Sequence, residues 1–537
     1  MQLRNSNIEK LKTQHFDVLI IGGGINGAVS AAALSGKGVK VGLIDKGDFA
    51  GFTSQESSNL AWGGIKYLET FEFELVRKLC KCRNHLIDSY PSIVEEIRFF
   101  TTIEKGFRFH PAMIYMGTWL YWLIGRGFTK KPRYLTPNRI QREEPVVNTA
   151  EASGGFEYSD AYLHDCDARF VFNFIRTAMN NGCIAANYIE STGAAYRDGQ
   201  WIMNAKNTLN GDYFNISAQV LINAAGPFVD QHNLITGQKT DHHHVFSKGI
   251  HLLVDQITPH KRVLTFFADD GRLFFAIPMG NRTCLGTTDE RVETPHVKVT
   301  DEDRQFVLDN INKRLNLAKP LTRSDVIAER CGVRPLVVEG SDVGKEVEWV
   351  QLSRKHAVEA NYDKPHISIF GGKLTDCLNV GDEVSEIIGN MDIRIPYPAH
   401  KWYGDPHPQV KADFFHQARL MDLDGYTAST SSEKLSTRLW RRYGSRAIEM
   451  LETIREDPRE AELLIKGTEY IRCEIQHAAR REMVTKLSDF LRRRSKIALV
   501  VHHEDIRKAE GLMETCEILF KDQAQAKFDE YFKEKQT

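Results

Sequence analysis

The tightest constraint on this chain lies between Phe16 and Asp45. Phe16–Ile21, "FDVLII", is a short apolar run with the length of a buried strand. Gly22-Gly23-Gly24 breaks it, and a small-residue stretch carrying Ala28, Ala31, Ala32, Ala33 and Leu34 follows with the character of a helix. Gly38 ends that helix, and Val39–Ile44 reads as a second buried strand. The spacing is Gly22-x-Gly24-x-x-Gly27, with Ile25 and Asn26 inside the turn and Asp45 closing the second strand. A GxGxxG means little alone. Placed between strand and helix, with an acid roughly 20 residues on, it predicts a β-α-β unit that holds a dinucleotide. Gly22 permits the tight turn, Gly24 lets the backbone approach a pyrophosphate, and Gly27 lets helix and strand pack closely. The helix N-terminus presents unpaired N–H groups to the anion, and Asp45 accepts from a ribose 2′-OH.

Two later strands return to the same place. Val220–Ala225, "VLINAA", runs into Gly226-Pro227, and Ile367–Phe370, "ISIF", runs into Gly371-Gly372-Lys373. Open α/β sheets hold ligands at the carboxyl ends of their strands. A site revisited from three distant parts of the chain suits a long cofactor, FAD, better than a mononucleotide. Around Arg394–Pro408 four Pro mark a linker, and the region beyond it is charged and helical in period. Lys401–Thr537 is therefore expected to be a separate helical domain, with Arg492-Arg493-Arg494 on a solvated helix face.

Composition removes several classes. The 537 residues carry a formal net charge of −1 and a pI near 7.0, against a dedicated nucleic-acid binder. Nine scattered Cys suggest reduced thiols of a cytosolic protein. No metal centre is expected. Asp241-His242-His243-His244 comes nearest, but successive His on a strand point to opposite faces. The N-terminus has no apolar signal region, and no run reaches a confident transmembrane length. Phe109–Gly125 lacks Asp, Glu, Lys and Arg, carries Tyr115, Trp119, Tyr121 and Trp122, and precedes Arg126, Lys130, Lys131 and Arg133. Both a buried helix and a membrane-interface helix fit those residues.

Single cations sit beside glycine turns or strand ends. Lys66 follows Gly63-Gly64, Arg334 lies in "CGVRPL", Arg354 in "QLSRKHAV" and Lys373 in "FGGKLTD". Four such cations around a flavin pocket suit an anionic substrate, Arg as a fork and Lys as a point charge.

Taken in order, "IIGGGINGA", "SSNLAWGGIKYLETFEFELV", "GGFEYSDAYLHDCDARFV", "INAAGPFVD", "KGIHLLV", "LGTTDERV", "GVRPL", "SRKHAV" and "FGGKLTD" resemble the FAD-dependent, quinone-linked glycerol-3-phosphate dehydrogenases. The resemblance extends into the C-terminal region and covers nearly the whole chain. It implies an α/β architecture: a Rossmann-like FAD-binding domain with an interleaved β-rich substrate-binding subdomain, then an all-helical C-terminal domain. The expected boundaries are 1–395 and 396–537, with FAD-binding segments near 14–65, 155–240 and 345–390 and substrate-binding segments near 66–154 and 241–344. The implied reaction is oxidation of sn-glycerol 3-phosphate to dihydroxyacetone phosphate, with electrons passed to a quinone. The implied location is the cytoplasm, peripherally attached to the inner face of the membrane, and a homodimer is compatible with it. By match of position, Arg334, Lys373, Arg354, Tyr67 and Lys66 face the substrate, His251 is the base that takes the C2 hydroxyl proton, and Arg334 and Lys373 stabilise the developing alkoxide and the reduced flavin. The segment Thr53–Phe73 is expected to cross the flavin. In it Ser54, Ser58 and Asn59 offer hydrogen bonds and Trp62, Gly63 and Gly64 lie near the ring. Ala225, Gly226, Gly372, Lys373, Leu374 and Thr375 complete the cofactor set.

The chain departs from the family within that segment. Asn59 stands where the family usually has Lys, Trp62 where it has His, Lys66 where it has Arg, and Asp376 where it has Thr. These changes leave two alternatives open: a different anionic 2-hydroxy or amino acid substrate, or a flavin-binding membrane protein with little catalysis because Trp62 blocks the site.

Overall fold

The computed structural model describes residues 2–268, 271–340, 356–429 and 431–534. Arg354 lies outside these residues. The β-α-β unit forms as its pattern predicts. Strands His15–Ile21 and Val41–Ile44 pair in parallel, Val18 opposite Val41 and Ile21 opposite Ile44, joined by the helix Ile25–Gly36. Both strands are buried, as apolar parallel strands covered on both faces must be. Tyr213–Asn223 adds in parallel on the other side of His15–Ile21, and His366–Phe370 adds beyond it. The carboxyl ends of three strands remote in sequence thus come to one edge.

The helices Asp167–Asn180 and Cys377–Gly389 pack against Ile25–Gly36. The small face made by Ala28, Ala31 and Ala32, all fully buried, allows that approach. At the N-terminus of Ile25–Gly36 the packing reaches its limit. A Cβ on Gly27 would lie 1.8 Å from the Gly22 carbonyl oxygen, and Gly22 itself has φ +101, where only glycine is unstrained.

The second sheet is larger and mostly antiparallel. Its order is Glu290–Val292, His242–Asp255, Arg282–Gly286, Leu273–Met279, Arg262–Phe267, Val94–Glu104, Ala152–Leu163 and Leu60–Ala61. Ala328–Glu339 also runs beside His242–Asp255, with Arg334 opposite Ser247 and Arg330 opposite His251. The chain enters this sheet from the first one repeatedly, so the two are interleaved.

The third unit is helical from Pro408 to Glu534. The stretch before it, although free of helix and strand up to Pro408, is anchored. Trp402 is buried and donates its indole N–H to Asp382 at 2.8 Å. The helical unit docks through charge. Arg442 reaches Asp165 at 2.8 Å, Arg441 reaches the same carboxylate at 3.2 Å, and Arg169 reaches Glu482 at 2.8 Å. Arg492-Arg493-Arg494, expected on a solvated face, joins this set: Arg494 is 1% exposed and pairs with Asp48 at 2.9 Å. A run of cations reads the same whether it meets water or carboxylates, and Asp48 lies too far away in sequence to be matched with it.

The apolar stretch folds as the helix Pro111–Ile124, and it is not buried in a core. Only Pro111, Thr118 and Tyr121 are buried; Met113, Met116, Leu120 and Leu123 are exposed along one face. No helix among the described residues is long and apolar enough to cross a membrane.

Gly27→Ala forces a methyl into a backbone carbonyl that cannot yield, and is expected to cost at least roughly 1–3 kcal/mol in chemical denaturation. Gly117→Ala, in a helix with nothing within 4 Å of the new methyl, is expected to be neutral or slightly stabilising.

Candidate active site

A cleft of about 800 Å³ opens at the carboxyl ends of the parallel strands, within the size range of cofactor sites. Gly22, Gly24, Ile25, Asn26, Asp45, Ser54, Ala225, Gly226 and Gly372 of the sequence-derived set line it. The helix N-terminus is oriented by two side chains. Ile25 N–H donates to the Ser54 hydroxyl at 3.0 Å, and the Asn26 amide donates to the Gly371 carbonyl at 2.8 Å. Gly372 has φ +109, and a Cβ there would strike Asn26 Oδ1 at 2.7 Å, so the Gly371-Gly372 turn closes on the helix only as glycine. Asp45 accepts from Gly23 N–H at 2.6 Å and from Gly47 N–H at 2.8 Å. Burial pushes its carboxyl up to about 6 despite those bonds.

Two contributors escaped sequence reading. His244, fully buried at its side chain, accepts the Gly371 N–H at 2.9 Å and so fixes the turn from behind. Phe52 and Phe228 meet edge to face at 4.9 Å at the rim, with the Lys46 ammonium 3.2 Å over the Phe228 ring. Neither motif has a local signal; both exist only through tertiary contact.

From Ser54 the chain runs out of the cleft toward the second sheet. Ser58 meets His251 Nε2 at 3.0 Å. Asn59 is fully buried with φ +56, a left-handed conformation that Asn tolerates. Its Oδ1 accepts from Asp167 N–H at 3.2 Å and from Arg330 at 3.4 Å. Trp62 donates its indole N–H to the Tyr158 hydroxyl at 3.3 Å, stands 6.3 Å from the Tyr67 ring, and accepts at its carbonyl from Thr375 at 3.4 Å. Gly63 is wedged against Tyr121, whose hydroxyl would lie 2.1 Å from a Cβ there. Its N–H donates at 3.0 Å to Asp160, a buried carboxylate that also accepts from Arg83 at 2.8 Å and from Tyr121 at 2.8 Å. Gly64 has φ +81 and starts the short turn Ile65–Leu68, which carries Lys66 and Tyr67.

The cationic residues divide. Lys373 donates to the Tyr67 hydroxyl at 3.1 Å, joining the Lys373-Leu374-Thr375 turn to the crossing segment. Lys66 is exposed on the Ile65–Leu68 turn, beside Tyr67. Arg334 bonds Thr287 Oγ1 at 2.9 Å and Ser247 Oγ at 3.3 Å and stands 3.6 Å from Asp289. Its neighbour Pro335 lines the cleft, so strand alternation turns Arg334 to the other face. His251 is 2% exposed, and burial with Arg330 and Arg334 nearby pushes its pKa well below the ordinary value. Burial and the two cations favour its neutral form.

The Asp376 departure has a partner. His356 sits between Asp376 and Glu383, 2.7 Å from each, and Cys82 and Lys78 also reach Asp376, at 3.2 Å and 3.7 Å. Burial opposes the His356 charge, but the hydrogen bonds its ring donates to both carboxylates prevail and raise its pKa to about 9. Asp376 in turn is held down to about 2. A raised folded-state pKa gives stability that is complete below the unfolded value of about 6.5 and lost as pH rises through the folded one. Thermal stability is therefore expected to fall between about pH 6.5 and 9, by an order-of-magnitude 2–3 kcal/mol. His356→Gln is expected to flatten that slope in thermal melts across the range.

The cleft's donors, its terminal acid and its glycine cradle suit an adenine dinucleotide, and the comparisons agree. Residues 17–365 match the family described as FAD dependent oxidoreductase, and residues 401–524 match the C-terminal domain of alpha-glycerophosphate oxidase. A glycerol-3-phosphate dehydrogenase of Pseudomonas aeruginosa is 30% identical, covering 90% of this chain and 92% of its own length. The aerobic glycerol-3-phosphate dehydrogenase of Bacillus subtilis is 28% identical, over 92% and 89%. The solved glycerol-3-phosphate dehydrogenase of Bacillus halodurans, complexed with FAD, shares the fold at a TM-score of 0.74 over 99% of this chain and 96% of that one, with 24% identity. The chain belongs to the FAD-dependent oxidoreductases, in their glycerol-3-phosphate dehydrogenase branch, and FAD is its cofactor.

Proposed function

We propose that this enzyme oxidises the C2 hydroxyl of sn-glycerol 3-phosphate to the ketone of dihydroxyacetone phosphate and passes the electrons to a quinone at a membrane surface. The observation that carries the reading is the segment Ser54–Tyr67. It leaves the cofactor cleft and meets His251 through Ser58, then Lys373 through Tyr67. When bound, FAD supplies a two-electron acceptor for the hydride leaving C2. The hydroxyl proton leaves separately, and the neutral His251 imidazole, reached by Ser58, is the acceptor for it. Arg334 and Lys373 give the developing alkoxide and the reduced flavin positive neighbours, and Lys66 offers its charge to the phosphate. Arg334 stands on the same sheet face as Ser247. Trp62 is tied to Tyr158 through its indole N–H.

The exposed apolar face of Pro111–Ile124 supports the membrane part. Met113, Met116, Leu120 and Leu123 follow helical spacing, and Arg126, Lys130 and Lys131 are exposed just beyond. A bilayer with anionic lipid matches both features, apolar side chains entering the acyl boundary and each cation adding roughly 1 kcal/mol.

Anaerobic addition of sn-glycerol 3-phosphate to the holoenzyme is expected to bleach the flavin absorbance. Bleaching by 2-hydroxy or amino acids with none by glycerol 3-phosphate would overturn the substrate. Lys66→Arg is expected to lower KM several-fold through a bidentate phosphate contact. His251→Asn is expected to lower kcat by about 10²–10⁴-fold with flavin content retained, and kcat/KM is expected to show no break near pH 6.5 from this residue. Leu120→Glu with Leu123→Glu is expected to abolish co-sedimentation with anionic vesicles and leave turnover with a soluble acceptor intact.

A further inference from the structure

We infer that the C-terminal helical domain is part of the FAD site and holds the adenosine half of the cofactor through Arg493, with Arg492 and Arg494 fixing the loops on either side of it. The inference rests on FAD occupying the cleft. Lys486, Ser488 and Arg493 line that cleft although they come from the far end of the chain. They stand at its Asp45 end, where the ribose of the adenosine half meets the terminal acid.

The contact is built on both sides of that end. On one side lies Asp48, three residues beyond Asp45, buried and held by Arg493 at 2.6 Å and by Arg494 at 2.9 Å on each oxygen. Burial alone would raise the Asp48 carboxyl; Arg494 and Arg493 outweigh it, and the group lies below its ordinary range. On the other side lie Gln55 and Glu56, next to the Ser54 that receives the helix N-terminus. Arg492 donates to the Gln55 carbonyl and reaches Glu56 at 3.2 Å, and Arg493 reaches the Gln55 side chain at 3.3 Å. The arginine turn is itself fixed. Asp489 accepts from Arg493 at 2.6 Å, from Tyr188 at 2.7 Å and from Thr485 N–H at 2.9 Å. The two loops that bracket the cofactor ribose and pyrophosphate are thus tied to one rigid turn of the other domain. Flavin affinity is therefore set across the domain boundary, and cofactor binding stiffens residues 484–496.

Hydrogen exchange of the full-length apoprotein tests this with FAD, ADP and FMN added separately. FAD and ADP are each expected to slow exchange in 484–496 at least about fivefold, and FMN, lacking the adenosine half, to leave it unchanged. Slowing at 22–28 and 366–375 with none at 484–496 would overturn the inference while leaving the FAD site intact. Slowing at none of these would remove the FAD site itself. Slowing at 484–496 by FMN and not by ADP would assign the contact to the wrong half and likewise overturn it. In fluorescence titration, Arg493→Gln is expected to raise the FAD Kd about tenfold; a folded variant with unchanged Kd contradicts the assignment.

Discussion

Everything in the cofactor cleft hangs on one steric contact, the absence of a side chain where Gly27 faces the Gly22 carbonyl. A methyl there would sit 1.8 Å from that oxygen. Because it is missing, the helix Ile25–Gly36 can start hard against the strand end, with the Ile25 N–H reaching the Ser54 hydroxyl. Ser54 and the Gly371 carbonyl then have something to meet, and segments far apart in sequence close around one opening. The same logic recurs at Gly372, where a Cβ would collide with Asn26. Backbone approach shapes the site, and the side chains complete it.

Buried charge joins the units. Asp48, Asp160 and Asp165 each take arginine partners, and for Asp48 and Asp165 those partners belong to the helical domain. A buried ion pair adds little net stability over apolar residues of the same size, yet removing one member costs about 3–5 kcal/mol. Such pairs penalise misplacement more than they reward association. They therefore suit a boundary where loops that bracket a cofactor must be held in one register.

Much of this was legible in the sequence and some was not, for a consistent reason. The β-α-β unit, its closing acid, the return of the Val220 and Ile367 strands and the helical C-terminal region all declare themselves through local period and glycine punctuation. The family motifs place the architecture as well, and the family comparison bears it out. What could not be read is pairing at long range. Arg494 looks like a surface residue until Asp48 is beside it, and Asp376 looks like a stray acid until His356 is. His244, in a run that reads as a strand edge, turns out to brace the Gly371 turn. The exposure of Met116 and Leu123 was equally hidden, since an apolar helix has the same composition in a core and on a surface.

Asp160 carries a consequence for anyone reshaping this molecule. One of its oxygens accepts from Gly63, Arg83 and Tyr121, so a residue of the crossing segment and a residue of the apolar helix share a single anchor. Trimming residues 109–131 to make a more tractable enzyme would not be a cosmetic change. It would strip the Tyr121 hydroxyl from a fully buried carboxylate and loosen the Trp62-Gly63 peptide next to it. Replacing the outward residues Met113, Met116, Leu120 and Leu123 with polar ones, and sparing Tyr121, alters the exterior of the helix without touching that anchor.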